Sequence, residues 1–210
     1  MNSSFYDILD YYIPVVRCEL NYSKDYELLI ATVLSAQCTD KRVNIVTNEL
    51  FKKYDIFSLA KSNKCDIEDI IRSCGNYNKK ADYIIGISKS LVNDYNGKVP
   101  NNRAYIESLP GVGRKTCNVV LKNLYNVPCI PVDTHVIRVS NRLGIVKDNS
   151  DPFEIEKVLM KKIPKEKWNR VGEQILLFGR YYCKAINPKC DDCLFVKSCK
   201  YNKKTRKDFF

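Results

Sequence analysis

The stretch LPGVGRKT, residues 109–116, is a glycine-hinged turn with a lysine at the point where a helix should begin. Pro110 ends any preceding helix, because proline lacks a backbone N–H and its ring clashes inside a helix. Gly111 and Gly113 permit backbone angles that other residues resist. Apolar residues at helical spacing precede and follow the turn. The stretch therefore predicts two helices joined by a tight hairpin.

The predicted hairpin suits a phosphate group. Asn101 or Asn102 can cap a short helix that ends near Leu109, and the second helix begins with free backbone N–H groups. Those groups and the helix dipole favour an anion. The stretch resembles the helix-hairpin-helix DNA-binding element, which grips one phosphate backbone without reading its sequence. The candidate DNA contacts are then Gly111, Val112, Gly113 and Arg114. A tight connector between two helices is the alternative interpretation.

Lys115 lies at the opening of the second predicted helix. The positive end of the helix dipole disfavours the charged form of a lysine there, and a desolvating cleft would disfavour it further. An amine freed of its proton can attack an electrophilic carbon and form a Schiff base, whereas an ordinary lysine is almost wholly protonated near neutrality. The alternative is that Lys115 only contacts phosphate beside the hairpin.

A second motif, PVDTH at residues 131–135, sets an acid before a helical stretch. Asp133 is predicted to cap the helix that runs from Thr134 to Leu143, which is the structural interpretation of the motif. The functional interpretation is that its carboxylate stabilises an oxocarbenium-like sugar while a glycosidic bond breaks. His135 is expected to order the turn rather than to catalyse.

Four cysteines near the end of the chain have the spacing C-x6-C-x2-C-x5-C. Four thiolates can hold zinc or a four-iron cluster, and structural zinc sites usually use pairs spaced by two to four residues. Only one such pair is present, so the spacing predicts a metal or cluster without choosing between them. The ligands would be Cys183, Cys190, Cys193 and Cys199. The other six cysteines are scattered and are expected to be small hydrophobic residues.

The net charge of the chain indicates what kind of partner it binds. Lysine and arginine number 35 against 24 acidic residues, a net charge of +11, which favours a polyanion, although a basic surface can also be merely soluble. There is no secretory signal pattern and no apolar run near the roughly 18 residues that span a bilayer. We expect an intracellular protein with no membrane partner, cytoplasmic and nucleoid-associated if bacterial. The basic tail, Lys203, Lys204, Arg206 and Lys207, is expected to be a solvated terminus.

Apolar residues recur at helical spacing along most of the chain, and alternating strand patterns are scarce. The predicted fold class is all-α. The clearest helical segments are those around Leu28 to Ser35, Val43 to Phe51, Ala81 to Ser88 and Val171 to Tyr182.

Together these motifs resemble the endonuclease III family of DNA repair glycosylases. The matching blocks occur in the family's order and cover about residues 25–199; they are LLIATVLSAQCTD (28–40), GNYNKKADYI (75–84), GKVPNNRAYIESLPGVGRKTCNVVL (97–121), PVDTHVIRVSNRLG (131–144) and FGRYYCKAINPKCDDC (178–193). Departures from the family pattern are Cys38 and Cys117 in place of alanine, Phe178 in place of histidine, and Asn76 in place of a leucine that wedges into the DNA helix.

The resemblance implies two helical domains with a DNA cleft between them. One is a six-helix domain of residues 18–128 that contains the hairpin, and the other combines residues 1–17 with 129–210 and holds a four-iron four-sulfur cluster on the four cysteines. Lys115 falls on the family's nucleophile and Asp133 on its catalytic acid. Gln37 matches the residue that fills the space left by the flipped nucleotide. Lys184 and Lys189 would present positive charge to phosphate.

The implied activity is that of a monomeric DNA glycosylase and abasic-site lyase. It would act on duplex DNA that carries a damaged pyrimidine or an abasic site, in base excision repair. A lysine Schiff base would be followed by β-elimination 3′ to the abasic site. Two rivals stay open, a monofunctional mispair glycosylase and a non-enzymatic DNA-binding protein that carries a cluster.

Overall fold

A computed structural model describes residues 4–147 and 151–205, without the side chains of residues 203–205. All regular secondary structure in this part of the chain is helical, which confirms the predicted all-α class. No helix there is long and apolar enough to cross a membrane. Arg206 and Lys207 of the basic tail lie outside the described residues, as do the side chains of Lys203 and Lys204.

The regular structure of the described residues consists of α-helices, with a 3₁₀ helix (Lys165–Lys167) before the eleventh. In chain order they are α1 (Phe5–Tyr12), α2 (Asp25–Leu34), α3 (Asp40–Lys53), α4 (Ile56–Lys61), α5 (Lys64–Ile71), α6 (Tyr77–Tyr95), α7 (Arg103–Ser108), α8 (Arg114–Tyr125), α9 (Thr134–Arg142), α10 (Pro152–Lys162), α11 (Trp168–Tyr181) and α12 (Lys200–Thr205).

The described residues divide into two compact units. The hairpin unit lies within Cys18–Asn126, and the cysteine unit lies within Met1–Arg17 and Val127–Phe210. The hairpin unit contains the seven helices α2 to α8, where the resemblance implied six.

The hairpin unit is built around α2. Its sequence DYELLIATVL is apolar on nearly every side, and every residue from Tyr26 to Leu34 is buried. A helix that is apolar all round needs partners on several faces. Here α2 packs against α3, α6 and α8, so this one helix supports the elements that carry the hairpin.

Polar caps fix where the predicted helices begin. Thr39 accepts a hydrogen bond from the N–H of Arg42 at the start of α3. Asn102, rather than Asn101, caps α7 by accepting from the N–H of Tyr105. Such caps satisfy N–H groups that have no partner inside the helix, and each contributes about 1 kcal/mol.

The cysteine unit has an aromatic core on α11, which packs against α1 and α9. Phe178 is 1% exposed, and its ring lies 5.1 Å from that of Tyr12 and 5.4 Å from that of Phe195. An apolar ring therefore suits the position where the family often has histidine. The predicted stripe that ends at Tyr182 is confirmed, with Tyr182 as the C-cap of α11.

Candidate active site and nucleic-acid interface

The connection between α7 and α8 is the predicted helix-hairpin-helix turn. The N–H of Val112 donates to the carbonyl of Leu109 over 3.1 Å and closes the turn. Gly111 has φ +72°, in the left-handed region that glycine adopts without steric cost. Val112 is buried, whereas Gly111, Gly113 and Arg114 are exposed. Val112 therefore anchors the hairpin, and its exposed neighbours are available to a ligand.

The hairpin lies against α6. A Cβ on Gly111 would lie only 2.3 Å from Cδ2 of Tyr83, and a Cβ on Gly86 would lie 3.0 Å from Cγ of Pro110. Glycine at position 111 is thus required both by its backbone angle and by the approach of the Tyr83 ring.

The expectation that Gly113 also uses unusual backbone angles is wrong. Its φ of −99° and ψ of 179° are extended values that any residue adopts. No atom lies within 4 Å of a Cβ built at this position. Gly113 is the N-cap of α8 and has no side chain to bond the first N–H groups of that helix. It therefore leaves the helix start open to an anion.

A side-chain network joins α7 to α8 beneath the hairpin. The guanidinium of Arg103 donates to Oδ1 of Asn118 over 2.8 Å and pairs with Glu107 over 2.9 Å. A further contact of 3.8 Å runs from Arg103 to the sulfur of Cys117. Asn118 and Cys117 are buried, so this polar network fixes the two helices relative to each other. This network could not be predicted from the sequence, because no local spacing connects its members.

Lys115 is the second residue of α8 and follows the hairpin directly. Its side chain is half-buried. It therefore lies within the first turn of the helix, where the backbone N–H groups and the positive end of the dipole meet.

Two further turns of the hairpin unit lie side by side. The Gln37 turn (residues 35–39) follows α2, and the Asn76 turn (residues 72–76) precedes α6. A Cβ on Gly75 would lie 3.6 Å from the carbonyl oxygen of Gln37. Gln37 and Asn76 are both exposed and have φ of +55° and +60°. Asparagine tolerates that region better than leucine, which gives the departure at position 76 a backbone reason.

A buried lysine holds the Gln37 turn in place. Lys80 of α6 is 4% exposed, and its ammonium donates to the carbonyls of Leu34 over 3.0 Å and Ala36 over 2.7 Å. Burial lowers the pKa of this ammonium. A cation on the last carbonyls of α2 also complements the helix dipole. The role of Lys80 could not be predicted from the sequence, since nothing in the spacing of α6 distinguishes it from a solvated lysine.

In the cysteine unit, Asp133 is the predicted N-cap of α9. Its Oδ1 accepts from the N–H groups of His135 and Val136, both over 2.9 Å. Because both bonds go to Oδ1, Oδ2 is the oxygen that can face a ligand. The side chain is half-buried, which suits a group that is held by the protein and still accessible.

His135 orders this region, as expected. Its Nδ1 lies 3.0 Å from a guanidinium nitrogen of Arg138, and that guanidinium also donates to the carbonyls of Gly179 and Cys183. Burial lowers the pKa of the imidazole, which is therefore neutral at pH 7 and can accept from Arg138 at Nδ1. The network ties α9 to the end of α11.

The four spaced cysteines are brought into one region of the cysteine unit. Burial raises the pKa of Cys193 first of all, and the neighbouring Cys183, Cys199 and Cys190 raise it further. Arg142 approaches two of these residues, since its guanidinium lies 3.6 Å from Sγ of Cys183 and its carbonyl accepts from Sγ of Cys199 over 3.2 Å. The set thus has a cationic neighbour and partial shelter from water.

The loop that carries these cysteines also exposes the two predicted lysines, Lys184 and Lys189. The carbonyl of Lys184 accepts from the guanidinium of Arg142 over 2.6 Å, and the ammonium of Lys189 lies 5.5 Å from the ring centre of Tyr182.

Over residues 4–147 and 151–205, no group of three or more histidine, cysteine or acidic side chains is arranged to hold a single metal ion.

The arrangement on both units can be compared with known proteins. The profile of the HhH-GPD superfamily base excision DNA repair protein matches residues 30–165, which is more than half of the chain. The chain belongs to this superfamily. Family membership makes it a base excision DNA repair enzyme with DNA glycosylase activity, as the sequence predicted.

Similar proteins cover almost the whole chain. Endonuclease III of Bacillus subtilis (strain 168) is 44% identical over 198 residues, covering 92% of this chain and 89% of the relative. A solved trapped endonuclease III–DNA covalent intermediate matches with a TM-score of 0.92 at 45% identity, over 95% of this chain and 94% of that one. A thermostable thymine-DNA glycosylase matches with a TM-score of 0.81 at 27% identity, over 94% of each chain. The predicted resemblance to endonuclease III is confirmed.

The single histidine of the chain permits a direct test of the network around α9. Burial lowers the pKa of His135 below its ordinary 6.5, so between the folded value and 6.5 the unfolded chain binds the proton more readily. The stability linked to this residue is therefore present above pH 6.5 and is lost as the pH falls towards the folded pKa. NMR titration should give a folded midpoint below 6.5 and a normal midpoint in denaturant. An imidazole that titrates at or above its ordinary value in the folded protein would contradict this assignment.

The two hairpin glycines give a matched pair of variants. Gly111→Ala should lower the free energy of unfolding by about 2–4 kcal/mol, from the left-handed backbone angle and the overlap with Tyr83. Gly113→Ala should change it by less than about 1 kcal/mol, because the backbone is extended and the space is open.

Chemical denaturation of both variants measures the difference in their free energies of unfolding. Adding Tyr83→Ala should recover part of the loss in Gly111→Ala and nothing in Gly113→Ala. Equal losses for the two glycine variants would mean that the hairpin does not have the described geometry.

Proposed function

We propose that the chain is a bifunctional DNA glycosylase and abasic-site lyase that removes oxidised pyrimidines from duplex DNA. The observation that carries the proposal is the position of Lys115 in the first turn of α8, directly after the open hairpin. A phosphate held at the helix start would bring a nucleotide sugar near this amine.

The proposed role of Lys115 is nucleophilic attack on C1′ of the damaged nucleotide. The amine nitrogen forms a bond to C1′, and the glycosidic bond breaks. The base leaves with the bonding electron pair and takes up a proton. The sugar ring of the resulting C1′ amine adduct then opens to give a Schiff base. Removal of a C2′ proton then expels the 3′ phosphate by β-elimination and cuts the strand.

The proposed role of Asp133 is to stabilise the positive charge that develops on the sugar and to assist proton transfer. Its Oδ1 is held by two N–H groups of α9, which fixes the carboxylate and leaves Oδ2 to act. A positioned carboxylate of this kind typically contributes about 10²–10⁴-fold to the rate. The proposal requires that Lys115 and Asp133 act on the same nucleotide.

The proposed DNA contacts fall on exposed groups. In the hairpin unit, the backbone of Gly111 and Gly113 and the side chain of Arg114 bind one phosphate backbone, with Val112 as their buried anchor. Gln37 enters the space left by the extruded nucleotide. Its positive φ supports this role, because a strained backbone in an exposed turn often accompanies function. Extrusion costs least for a damaged base.

The proposed cofactor is a four-iron four-sulfur cluster on Cys183, Cys190, Cys193 and Cys199. The residues fit such a group: all four are thiols, they lie in one partly sheltered loop, and Arg142 offsets negative charge at Cys183. When bound, the cluster would supply structural cross-linking of the loop. Lys184 and Lys189 of the same loop would then face DNA phosphates.

Two substitutions test the catalytic roles on a duplex with one thymine glycol. Lys115→Gln should lose base removal and strand cleavage while it keeps DNA affinity within a few-fold. Asp133→Asn should remain folded, because asparagine caps helices as well as aspartate does. It should lose base removal by about 10²-fold or more under single-turnover conditions.

Lys41→Gln is the matched control, because Lys41 is likewise the second residue of a helix, α3, but follows no glycine hairpin. It should retain full cleavage. Cleavage retained by Lys115→Gln would contradict the assignment. Base loss by the native enzyme that becomes visible only after alkali would contradict the lyase step and favour a monofunctional glycosylase.

A further inference from the structure

Two cysteines outside the four-cysteine loop face each other in the hairpin unit. Sγ of Cys38 lies 3.6 Å from Sγ of Cys74, although the residues are 36 positions apart in the chain. Cys38 belongs to the Gln37 turn and Cys74 to the Asn76 turn, so each thiol is carried by the same turn as one of the two exposed side chains. The sulfurs need to approach by only about 1.5 Å to reach the bond length of a disulfide.

We propose that Cys38 and Cys74 are a redox-active thiol pair, which a peroxide oxidises to a reversible disulfide that cross-links the Gln37 turn to the Asn76 turn. The pair is distinct from the four cysteines assigned to the cluster. The proposal concerns the chemistry of these thiols and does not depend on which DNA lesion the enzyme removes.

The exposures of the two thiols assign their roles. Cys38 is half-buried and can be reached by a small oxidant, whereas Cys74 is fully buried. Burial raises the pKa of the Cys74 thiol to about 11, so this thiol is protonated at neutral pH. Cys74 is therefore assigned as the second thiol, which reacts after Cys38 has been oxidised. The ammonium of Lys80 donates to the carbonyl of Ala36 in the Gln37 turn over 2.7 Å, and its positive charge offsets part of the effect of burial on the pKa of Cys74.

The oxidation balances with hydrogen peroxide alone. The Cys38 sulfur attacks one peroxide oxygen, the O–O bond breaks, and the second oxygen leaves as water with the thiol proton. Cys38 is then a sulfenic acid. The Cys74 sulfur attacks the Cys38 sulfur, the S–O bond breaks, and the hydroxyl leaves as a second water with the Cys74 proton. Two thiols and one peroxide thus give one disulfide and two waters.

Neither cysteine of the pair lies within a helix. Cys38 and Cys74 both lie between helices, after α2 and before α6 respectively. The N–H of Cys38 donates to the carbonyl of Ser35 in the same turn over 3.2 Å, and the N–H of Cys74 donates to the carbonyl of Ile71, the last residue of α5, over 2.8 Å. A movement of the sulfurs therefore does not break a helix. Because Gln37 and Asn76 adjoin the two cysteines, the bond would restrain both exposed side chains.

Peptide mapping tests the proposal on the whole protein with its cluster in place. The native chain is treated with stoichiometric hydrogen peroxide, its remaining thiols are alkylated, and it is digested with trypsin without reduction. Cleavage at lysine and arginine leaves Cys38 in the peptide 25–41 and Cys74 in the peptide 73–79, each with one cysteine. The expected product is these two peptides joined, lighter by two hydrogen atoms and separated again by a thiol reductant.

Two variants keep the test decisive. In Cys74→Ala, Cys38 should accumulate as a sulfenic acid that dimedone traps. In Cys38→Ala, Cys74 should remain an unmodified thiol. Cys65, which is exposed in the first turn of α5, is the internal control for general reactivity. The proposal is overturned if Cys38 and Cys74 are recovered unlinked while Cys65 is oxidised, or if Cys38 is joined to a different cysteine.

Discussion

The approach of the hairpin backbone to the ring of Tyr83 is the constraint on which the hairpin unit depends. Gly111 lies so near this ring that a single methyl group would overlap it, and its φ of +72° belongs to glycine. The contact fixes the path of the chain into α8. It therefore decides where the first-turn N–H groups and Lys115 are presented. The hydrogen bond of Arg103 to Asn118 supports the same geometry by joining α7 to α8.

In the cysteine unit, the corresponding constraint is the packing of α9 against α11. A Cβ on Gly179 would lie 3.0 Å from Cβ of His135, so the helices meet through a glycine. Arg138 then spans the contact by bonding Gly179 and Cys183. The N-cap Asp133 lies at the start of this supported helix. A carboxylate that is held in place by a packed helix can stabilise a developing charge without rearranging.

The local motifs of the sequence predicted much of this arrangement, because caps, proline stops and glycine turns act within a few residues. Asp133 as a cap, Asn102 as a cap and the hairpin at residues 109–113 all follow from such short-range rules. Contacts between distant segments could not be predicted. Lys80 beneath the Gln37 turn and Arg103 beneath the hairpin have ordinary local surroundings, and only the packing of helices brings them to their partners. The prediction of unusual backbone angles at Gly113 is wrong because its sequence context resembles that of Gly111, although its backbone is extended.

Borohydride trapping followed by peptide mapping decides whether the amine of Lys115 is the nucleophile. Reduction of the Schiff base on a lesion duplex should leave a stable DNA adduct on one lysine. We expect this adduct in the peptide 115–122, since trypsin no longer cuts after a modified Lys115. An adduct on any other amine, or base removal with no trapped adduct, would contradict it.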